Sequence, residues 1–286
     1  MSTNSEQNTG KKINKLQQQV ATEETYSLKV PENYERYFVP VIGKPLAKEL
    51  LAHASLQKGE RVLDVACGSG IVARLASRKI GQTGSVTGLD MNPGMLAVAR
   101  STTQETGPIT WRESGAEAMP FRDKTFDVAL CQLGLQFMED QSAALKEMQR
   151  VLVTGGRLTL NVPGPAGPVF AIFAEAMERH IGTRAAEFIH HVFSLDSTTR
   201  LRQLISKASF RNIEIHPRNK MLHLPAPKAF FWQYIHSTPL IDVVSGADKN
   251  ARESLEQEVT SKWRDFVQDD GTLAYSQRII LASAVK

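Results

Sequence analysis

Apolar residues follow two different spacings along most of the chain. Short runs rich in valine, leucine and isoleucine, typical of buried parallel strands, are separated by stretches whose apolar positions recur at helical spacing. The predicted strands begin at residues 61, 86, 109, 126, 157 and 210, and a further apolar run covers residues 278–284. Strands that alternate with helices predict an α/β fold with a mostly parallel sheet. We expect the last run to be its seventh, antiparallel strand.

The pattern also predicts how the chain is divided. Residues 1–24 are rich in Ser, Asn, Gln and Lys and are expected to form a disordered tail. The expected core comprises residues 25–162, 197–224 and 275–286, and it is interrupted by helical insertions at 163–196 and 225–274. If the last apolar run returns to the sheet, both insertions cover the carboxyl ends of the strands, and we expect them to form a mostly helical lid that is discontinuous in sequence.

The first predicted strand ends in a glycine turn. Gly68, Gly70 and the small Ala73 fit the G-x-G-x-x-G/A spacing of a nucleotide-binding strand–turn–helix unit. Gly68 can adopt dihedral angles closed to other residues, and Gly70 would let a ligand approach the backbone closely. The second strand ends in Asp90, about 20 residues beyond the turn, where a carboxylate would hold the hydroxyls of a ribose.

Asp64, inside the first strand, separates two classes of ligand. In a dinucleotide site, the pyrophosphate lies against the glycine turn and the positive end of the following helix. A carboxylate beside the turn is a poor neighbour for that anion. It suits a ligand with cationic amine and sulfonium groups, because opposite charges attract strongly in a partly buried site. S-adenosylmethionine is such a ligand, and an NAD(P)-dependent oxidoreductase is the alternative that Asp64 disfavours.

The D-x-A-C-G-S-G sequence at residues 64–70 resembles the first motif of class I S-adenosylmethionine-dependent methyltransferases. Residues 34–38, 92–97 and 133–137 are similar to a bacterial-looking branch of the type-11 group, which includes the ubiquinone/menaquinone C-methylating enzymes. The resemblance covers the chain from about residue 26. It implies a Rossmann-like fold and S-adenosylmethionine as cofactor, but it does not specify the substrate. Methyl transfer from a sulfonium is an in-line displacement that depends mainly on positioning. The aromatic residues of the insertions favour a small, partly apolar metabolite as acceptor.

The resemblance also implies which residues bind the cofactor. These residues, one of them an N-terminal aromatic, are Tyr37, Asp64, Ala66, Gly68, Gly70, Asp90, Met91, Gly115, Ala116 and Gln132. The family usually has Asp at the Gly115 position, where it bonds the adenine amino group, so backbone groups of Gly115 and Ala116 are the expected substitutes. This departure supports a further alternative, an inactive regulatory protein that binds the cofactor.

Candidates for a general base lie among the histidines of the insertions. A base is needed only if the acceptor must lose a proton. The adjacent His190 and His191 are the first candidates, because one of two neighbouring helix positions can face inward. No histidine has metal-ligand spacing with cysteines or carboxylates, so no metal site is expected.

Composition narrows the class of protein. Hydrophobic residues make up 42% of the chain and charged residues 22%, as in a soluble globular enzyme. The net charge is +4, and half of it comes from three lysines and one glutamate in the first 22 residues, so nothing indicates nucleic-acid binding. Cys67 and Cys131 are expected to be reduced thiols. Without a signal peptide or a run long enough to span a membrane, we expect a cytoplasmic protein whose partner is a small-molecule methyl acceptor.

Overall fold

The structure is a computed structural model that describes residues 29–103 and 109–286. The tail expected at residues 1–24 lies outside the described residues. The chain forms two compact units. The larger unit contains Val39–Gly167, Ile189–Lys220 and Ser276–Lys286, and the smaller unit contains the described residues up to Phe38 together with Pro168–Phe188 and Met221–Tyr275.

A single seven-stranded sheet organises the fold. Its strands are β1 (Arg61–Val65), β2 (Ser85–Asp90), β3 (Ile109–Glu113), β4 (Phe126–Gln132), β5 (Leu152–Pro163), β6 (Arg211–Leu224) and β7 (Leu273–Val285). Their order in the sheet is β3-β2-β1-β4-β5-β7-β6. Strands β1 to β5 pair in parallel, and β7 is antiparallel to β5. The predicted Rossmann-like α/β fold with an antiparallel last strand is confirmed.

Helices connect the strands. They are α1 (Val30–Asn33), which continues as a wider helix at Tyr34–Gly43, α2 (Lys44–Ala54), α3 (Ile71–Ile80), α4 (Pro93–Ser101), α5 (Gln141–Val151), α6 (Pro168–His180), α7 (Thr183–Val192), α8 (Thr198–Lys207), α9 (Pro227–His236), α10 (Leu240–Ser245) and α11 (Lys249–Lys262). Among the described residues, four helices begin after a polar N-cap residue. The side chain of this residue accepts a hydrogen bond from a backbone N–H in the first turn. The four N-cap residues are Asn92, Asp140, Ser197 and Asp248. Such caps satisfy amides that have no partner within the helix.

The sheet of the larger unit is buried on both faces. Val62 of β1 packs on one face with residues of α2 and α3, and Leu63 and Val65 pack on the other face with residues of α5 and α8. All three side chains are fully buried. This explains why β1 is a nearly continuous apolar run, since a strand covered on both faces has no need for alternating polar residues.

Three elements differ from the expectation. Strand β6 is continuous where two shorter pieces were expected, because residues 216–220 are polar and lie on the edge strand, where side chains can face water. The turn expected at residues 154–156 lies inside β5 as an irregularity, with Gly155 at φ +78°. Helix α10 was not expected, because its six residues are too few to show helical periodicity.

The core of the smaller unit is aromatic. The ring of Phe173 lies 5.5 Å from Phe231, 5.9 Å from Tyr234 and 5.7 Å from Trp263, centroid to centroid. Trp263 is fully buried, and its indole N–H donates to the carbonyl of Val169 at 2.9 Å. These aromatic residues of the insertions therefore pack against one another. The predicted lid role of the insertions, and their boundaries, stay predictions.

Candidate functional site

The carboxyl end of β1 leads into α3 through a tight turn. Ala66, Gly68 and Gly70 all have positive φ, at +55°, +53° and +88°. Glycine adopts this conformation freely, but for Ala66 it costs roughly 1–2 kcal/mol. The amide of Cys67 donates to the carbonyl of Leu89 in β2 at 3.0 Å, which ties the turn to the neighbouring strand. Strain at Ala66, beside a turn of this kind, marks the region as a candidate site.

Asp64 lies beneath this turn. Its side chain is 1% exposed, and Oδ2 accepts the N–H of Ala73, in the first turn of α3, at 2.9 Å. Gly70, which precedes α3, has no side chain to cap the helix. Burial raises the pKa of Asp64 to about 8, against the opposing hydrogen bond from Ala73. The carboxyl group thus accepts a hydrogen bond from one of the N-terminal backbone amides of α3, which a bound phosphate would otherwise use.

Asp90 joins the turn to the end of β2. Its Oδ2 accepts the N–H of Gly68 at 2.8 Å, and its Oδ1 accepts the N–H of Asn92 at 2.9 Å. Burial raises the pKa of Asp90, although backbone N–H groups oppose the shift. The N–H groups of Gly68, Met91 and Asn92 bond this carboxylate, which has about four acceptor positions, so Asp90 can still accept a ligand hydroxyl. Met91, the next residue, is 75% exposed.

The side chain of Trp111 in β3 explains why positions 70 and 88 are glycine. A Cβ atom placed on Gly70 would stand 2.4 Å from Cη2 of this ring, and one placed on Gly88 would stand 2.3 Å from Cζ3. The indole ring occupies the space that a side chain at Gly70 would fill, which is one reason for glycine at this position. The expected close approach of a ligand to Gly70 stays a prediction.

The loop after β3 carries two further predicted residues. Its first residue, Ser114, donates its N–H to the carbonyl of Asp90 at 3.1 Å, which holds the loop beside the end of β2. Ala116 is buried and Gly115 is half-buried. Within the described residues, the amides of Gly115 and Ala116 donate no hydrogen bond to the protein. Both remain available to a ligand.

Gln132 ends β4, on the other side of β1. Its Nε2 donates to the carbonyl of Gly43 at 3.0 Å, whereas its Oε1 is buried without a partner among the described residues. The loop that follows lies against the glycine turn, because a Cβ on Gly134 would stand 2.6 Å from Cβ of Ala66. The structure therefore places Gln132 at the same edge of the sheet as the glycine turn.

Two buried polar residues of this region were missed by the sequence analysis. Asn161 of β5 and Gln136, in the loop after β4, are each 1% exposed. Both bond to Leu133: Oδ1 of Asn161 accepts its N–H at 3.1 Å, and Nε2 of Gln136 donates to its carbonyl at 2.9 Å. Oε1 of Gln136 and Nδ2 of Asn161 are buried without a partner among the described residues. Asn161 interrupts an apolar run, which is a usable signal, but Gln136 resembles an ordinary loop residue.

The remaining predicted residues lie apart from these. Tyr37 belongs to the smaller unit, where the guanidinium carbon of Arg36 lies 5.3 Å from its ring centroid. His190 and His191 are both exposed, so the expectation that one of them faces inward is not met. His191 borders the loop after β4, with its ring 5.5 Å from that of Phe137. Roles for Tyr37, His190 and His191 stay predictions.

Within residues 29–103 and 109–286, no cluster of three or more His, Cys, Asp or Glu residues is placed to hold a metal ion. No helix in the same ranges combines the length and the apolar character needed to cross a membrane.

Comparison with known sequences gives a consistent result. Residues 63–160 match the family described as a methyltransferase domain. The ubiquinone/menaquinone biosynthesis C-methyltransferase UbiE of Xylella fastidiosa strain M23 is 37% identical over 134 residues, which cover 46% of this chain and 48% of that protein. The demethylmenaquinone methyltransferase of Staphylococcus aureus strain JH9 is 29% identical over 185 residues, which cover 59% of this chain and 75% of that protein. The match to UbiE thus spans about half of that protein.

Two solved structures share the fold. The phosphoethanolamine N-methyltransferase 2 of Haemonchus contortus, in complex with S-adenosylmethionine, superimposes with a TM-score of 0.58 at 19% identity, over 95% of this chain and 59% of that chain. The YcgJ protein of Bacillus subtilis gives a TM-score of 0.56 at 21% identity, over 84% of this chain and 97% of that chain. At these identities the likeness shows the fold alone.

The matched region begins within β1 and ends within β5, so it contains the glycine turn, Asp90 and the loops after β3 and β4. The resemblance inferred from the motifs is confirmed, and these comparisons give no support to an oxidoreductase or to an inactive regulatory protein. Residues 63–160 form a methyltransferase domain of the class I, S-adenosylmethionine-dependent kind.

Proposed function

We propose that this protein transfers the methyl group of S-adenosylmethionine to a small, partly apolar metabolite. One observation carries the proposal: within the matched domain, the carboxyl group of Asp64 occupies an N-terminal amide of α3 directly beneath the glycine turn. A pyrophosphate needs that amide, which Asp64 already occupies. A sulfonium compound needs neither the amide nor a positive site.

The residues at the turn fit this cofactor. Asp90 can still accept a ribose hydroxyl, and the amides of Gly115 and Ala116 can bond the adenine ring in place of the missing Asp side chain. When ionised, Asp64 supplies negative charge close to the turn, and a cation bound nearby favours that ionised form. Ala66, Gly68, Met91 and Gln132 are the other residues that we expect to border the cofactor.

Positioning is what the chain has to provide. When bound, S-adenosylmethionine supplies a methyl carbon activated by the adjacent sulfonium, and in-line displacement by the acceptor leaves S-adenosylhomocysteine. Asp64 and Asp90 fix the turn on which the methyl donor rests, so that the donor is held at one distance from the acceptor. Such orientation can lower a barrier by several kcal/mol. No acid or base has to act at the sulfur.

The acceptor class rests on two kinds of support. The relatives named above are enzymes of ubiquinone/menaquinone biosynthesis and a demethylmenaquinone methyltransferase, whose names point to quinone-type substrates. In this chain, the insertions at 163–196 and 225–274 contain ten of the 20 Phe, Trp and Tyr residues, and we propose that they cover the acceptor as a lid. An apolar lining of that kind suits a small ring compound.

His191 is the first candidate for a base if the acceptor must lose a proton. It borders Phe137 in the loop after β4, whereas His190 has no described contact with that loop. His191→Ala should lower turnover without changing cofactor affinity, and His190→Ala is the matched control. Equal turnover in both variants and in the unmodified protein would remove the idea.

Calorimetry tests the proposed function. The protein is titrated separately with S-adenosylmethionine, S-adenosylhomocysteine and NAD, and we expect binding of the first two only. Radiolabelled methyl transfer to compounds in a metabolite extract then tests turnover. Binding of NAD without binding of S-adenosylhomocysteine contradicts the proposal.

A further inference from the structure

The ends of β4 and β5 carry three buried polar atoms that have no hydrogen-bond partner among the described residues. They are Oε1 of Gln132, Oε1 of Gln136 and Nδ2 of Asn161, all in the larger unit. Native proteins rarely leave such atoms unpaired. Neither Gln136 nor Asn161 has a role in the function proposed above, so their free atoms need a separate explanation.

The three side chains are held in place at their other ends. Nε2 of Gln132 is bound to the carbonyl of Gly43, Oδ1 of Asn161 to the amide of Leu133, and Nε2 of Gln136 to the carbonyl of Leu133. Gln132 and Asn161 are also register partners on neighbouring parallel strands. Their side chains therefore stand next to each other on the same face of the sheet, with one free acceptor and one free donor.

The position of these atoms indicates what they serve. The strand order β2-β1-β4-β5 changes direction between β1 and β4, and open α/β sheets bind ligands at the carboxyl ends of the strands at such a point. The glycine turn and Asp90 lie on the β1–β2 side. Methyl transfer brings two ligands together, so the β4–β5 side is left for the acceptor.

We propose that Asn161 and Gln132 bind a hydroxyl group of the methyl acceptor, so that the acceptor is an alcohol or a phenol. A hydroxyl accepts one hydrogen bond and donates another, which matches the free N–H of Asn161 and the free Oε1 of Gln132. A ketone or an ether oxygen can only accept, and it would leave Oε1 of Gln132 unpaired. This inference rests on the proposed function and specifies its substrate class.

Both atoms are covered in this structure, so the acceptor enters only after covering groups move. The loop after β4 begins at Leu133, whose N–H is bonded to Asn161, so it lies next to the covered atoms. Leu133 has φ +50°, an unfavourable conformation for a residue with a branched side chain.

Two aromatic probes that differ by one methyl group test the proposal. 1-Naphthol can donate and accept a hydrogen bond, and 1-methoxynaphthalene can only accept. Each is titrated into the protein saturated with S-adenosylhomocysteine. We expect the unmodified protein to bind 1-naphthol about tenfold more tightly, the size of one hydrogen bond. Gln132→Leu should reduce the preference to about twofold or less, because it removes the oxygen to which only the hydroxyl probe can donate. Asn161→Leu should weaken the binding of both probes and keep the preference, because both probes accept the N–H of Asn161.

Thr159→Val is the matched control, because Thr159 is a buried polar residue of the same strand. It should keep the tenfold preference, and both Thr159→Val and Asn161→Leu should bind S-adenosylhomocysteine as the unmodified protein does. Absence of a preference in the unmodified protein overturns the inference, as does an unchanged preference in Gln132→Leu. A parallel loss of S-adenosylhomocysteine affinity in Asn161→Leu also overturns it. Failure of the unmodified protein to bind S-adenosylhomocysteine is a different result, which contradicts the proposed function.

Discussion

A buried carboxyl group sets the electrostatics of the candidate site at the scale of single residues. Asp64 is almost fully buried, caps α3 from beneath the glycine turn, and has a pKa raised to about 8. Its charge has little water around it, so a cation nearby would interact with it strongly. The same burial makes the ionised form costly to the folded protein.

Asp64→Asn should therefore change stability in a pH-dependent way. Between about pH 4 and pH 8 the folded protein holds a proton on Asp64 that the unfolded chain has lost, so the stability of the unmodified protein falls as the pH rises. The slope is at most about 1.4 kcal/mol per pH unit. The side-chain oxygen of Asn can still accept the hydrogen bond from the N–H of Ala73, and Asn does not titrate. We expect the variant to gain stability relative to the unmodified protein from pH 5 to pH 8, measured by urea unfolding.

The same variant should bind S-adenosylmethionine about tenfold more weakly at pH 8, because one attractive charge is lost. Asp127→Asn is the control. Asp127 lies on β4 and pairs with Arg61, whose guanidinium lowers the pKa of Asp127, so its loss should lower stability at neutral pH and leave cofactor affinity unchanged. A stability difference for Asp64→Asn that is the same at pH 5 and pH 8 contradicts the argument.

At the scale of secondary-structure elements, the turn after β1 and the loop after β4 pack closely against each other. The turn after β1 carries the methyl group of Ala66, and the loop after β4 approaches it through Gly134. Gly134 has φ −112° and ψ −36°, a conformation that alanine adopts without strain. Steric contact with Ala66, rather than backbone conformation, is therefore what keeps position 134 small.

Gly134→Ala should destabilise the protein by about 1–3 kcal/mol, the usual cost of overpacking. Ala66→Gly removes both the obstructing methyl group and the unfavourable φ of Ala66, so the double variant should recover most of that loss. Urea unfolding of the four proteins completes the cycle. Gly246→Ala is the control, because its new Cβ would meet the nearest atom at an ordinary 3.6 Å. Additive effects of the two substitutions would contradict the shared-space argument.

At the scale of the whole molecule, the sequence predicted what depends on local patterns. Strands such as β1 are visible because burial on both faces requires a continuous apolar run, and the glycine turn is visible because its conformation requires glycine. The bond from Asp64 to Ala73, the contact of Trp111 with Gly70, and the free atoms of Asn161 and Gln136 depend on how separate segments meet. Residue spacing carries no information about such contacts between distant segments.

Cofactor binding should raise the stability of the whole protein. A ligand that binds only the folded state at 100 times its Kd adds about 2.7 kcal/mol. We expect S-adenosylhomocysteine at that concentration to raise the Tm by about 5 °C, measured by scanning calorimetry. NAD at the same concentration is the control and should leave the Tm unchanged. An equal rise with NAD would contradict the assignment of the turn to a methyl donor.

The indole of Trp111 has a practical consequence. The chain has three tryptophans, and the other two, Trp232 and Trp263, are buried in the smaller unit. Of the three, only Trp111 packs against the backbone of Gly70, at the turn where the methyl donor is expected to bind. Its emission is thus a built-in optical signal for occupancy of the turn, and the binding measurements described here can be read from intrinsic fluorescence without a label.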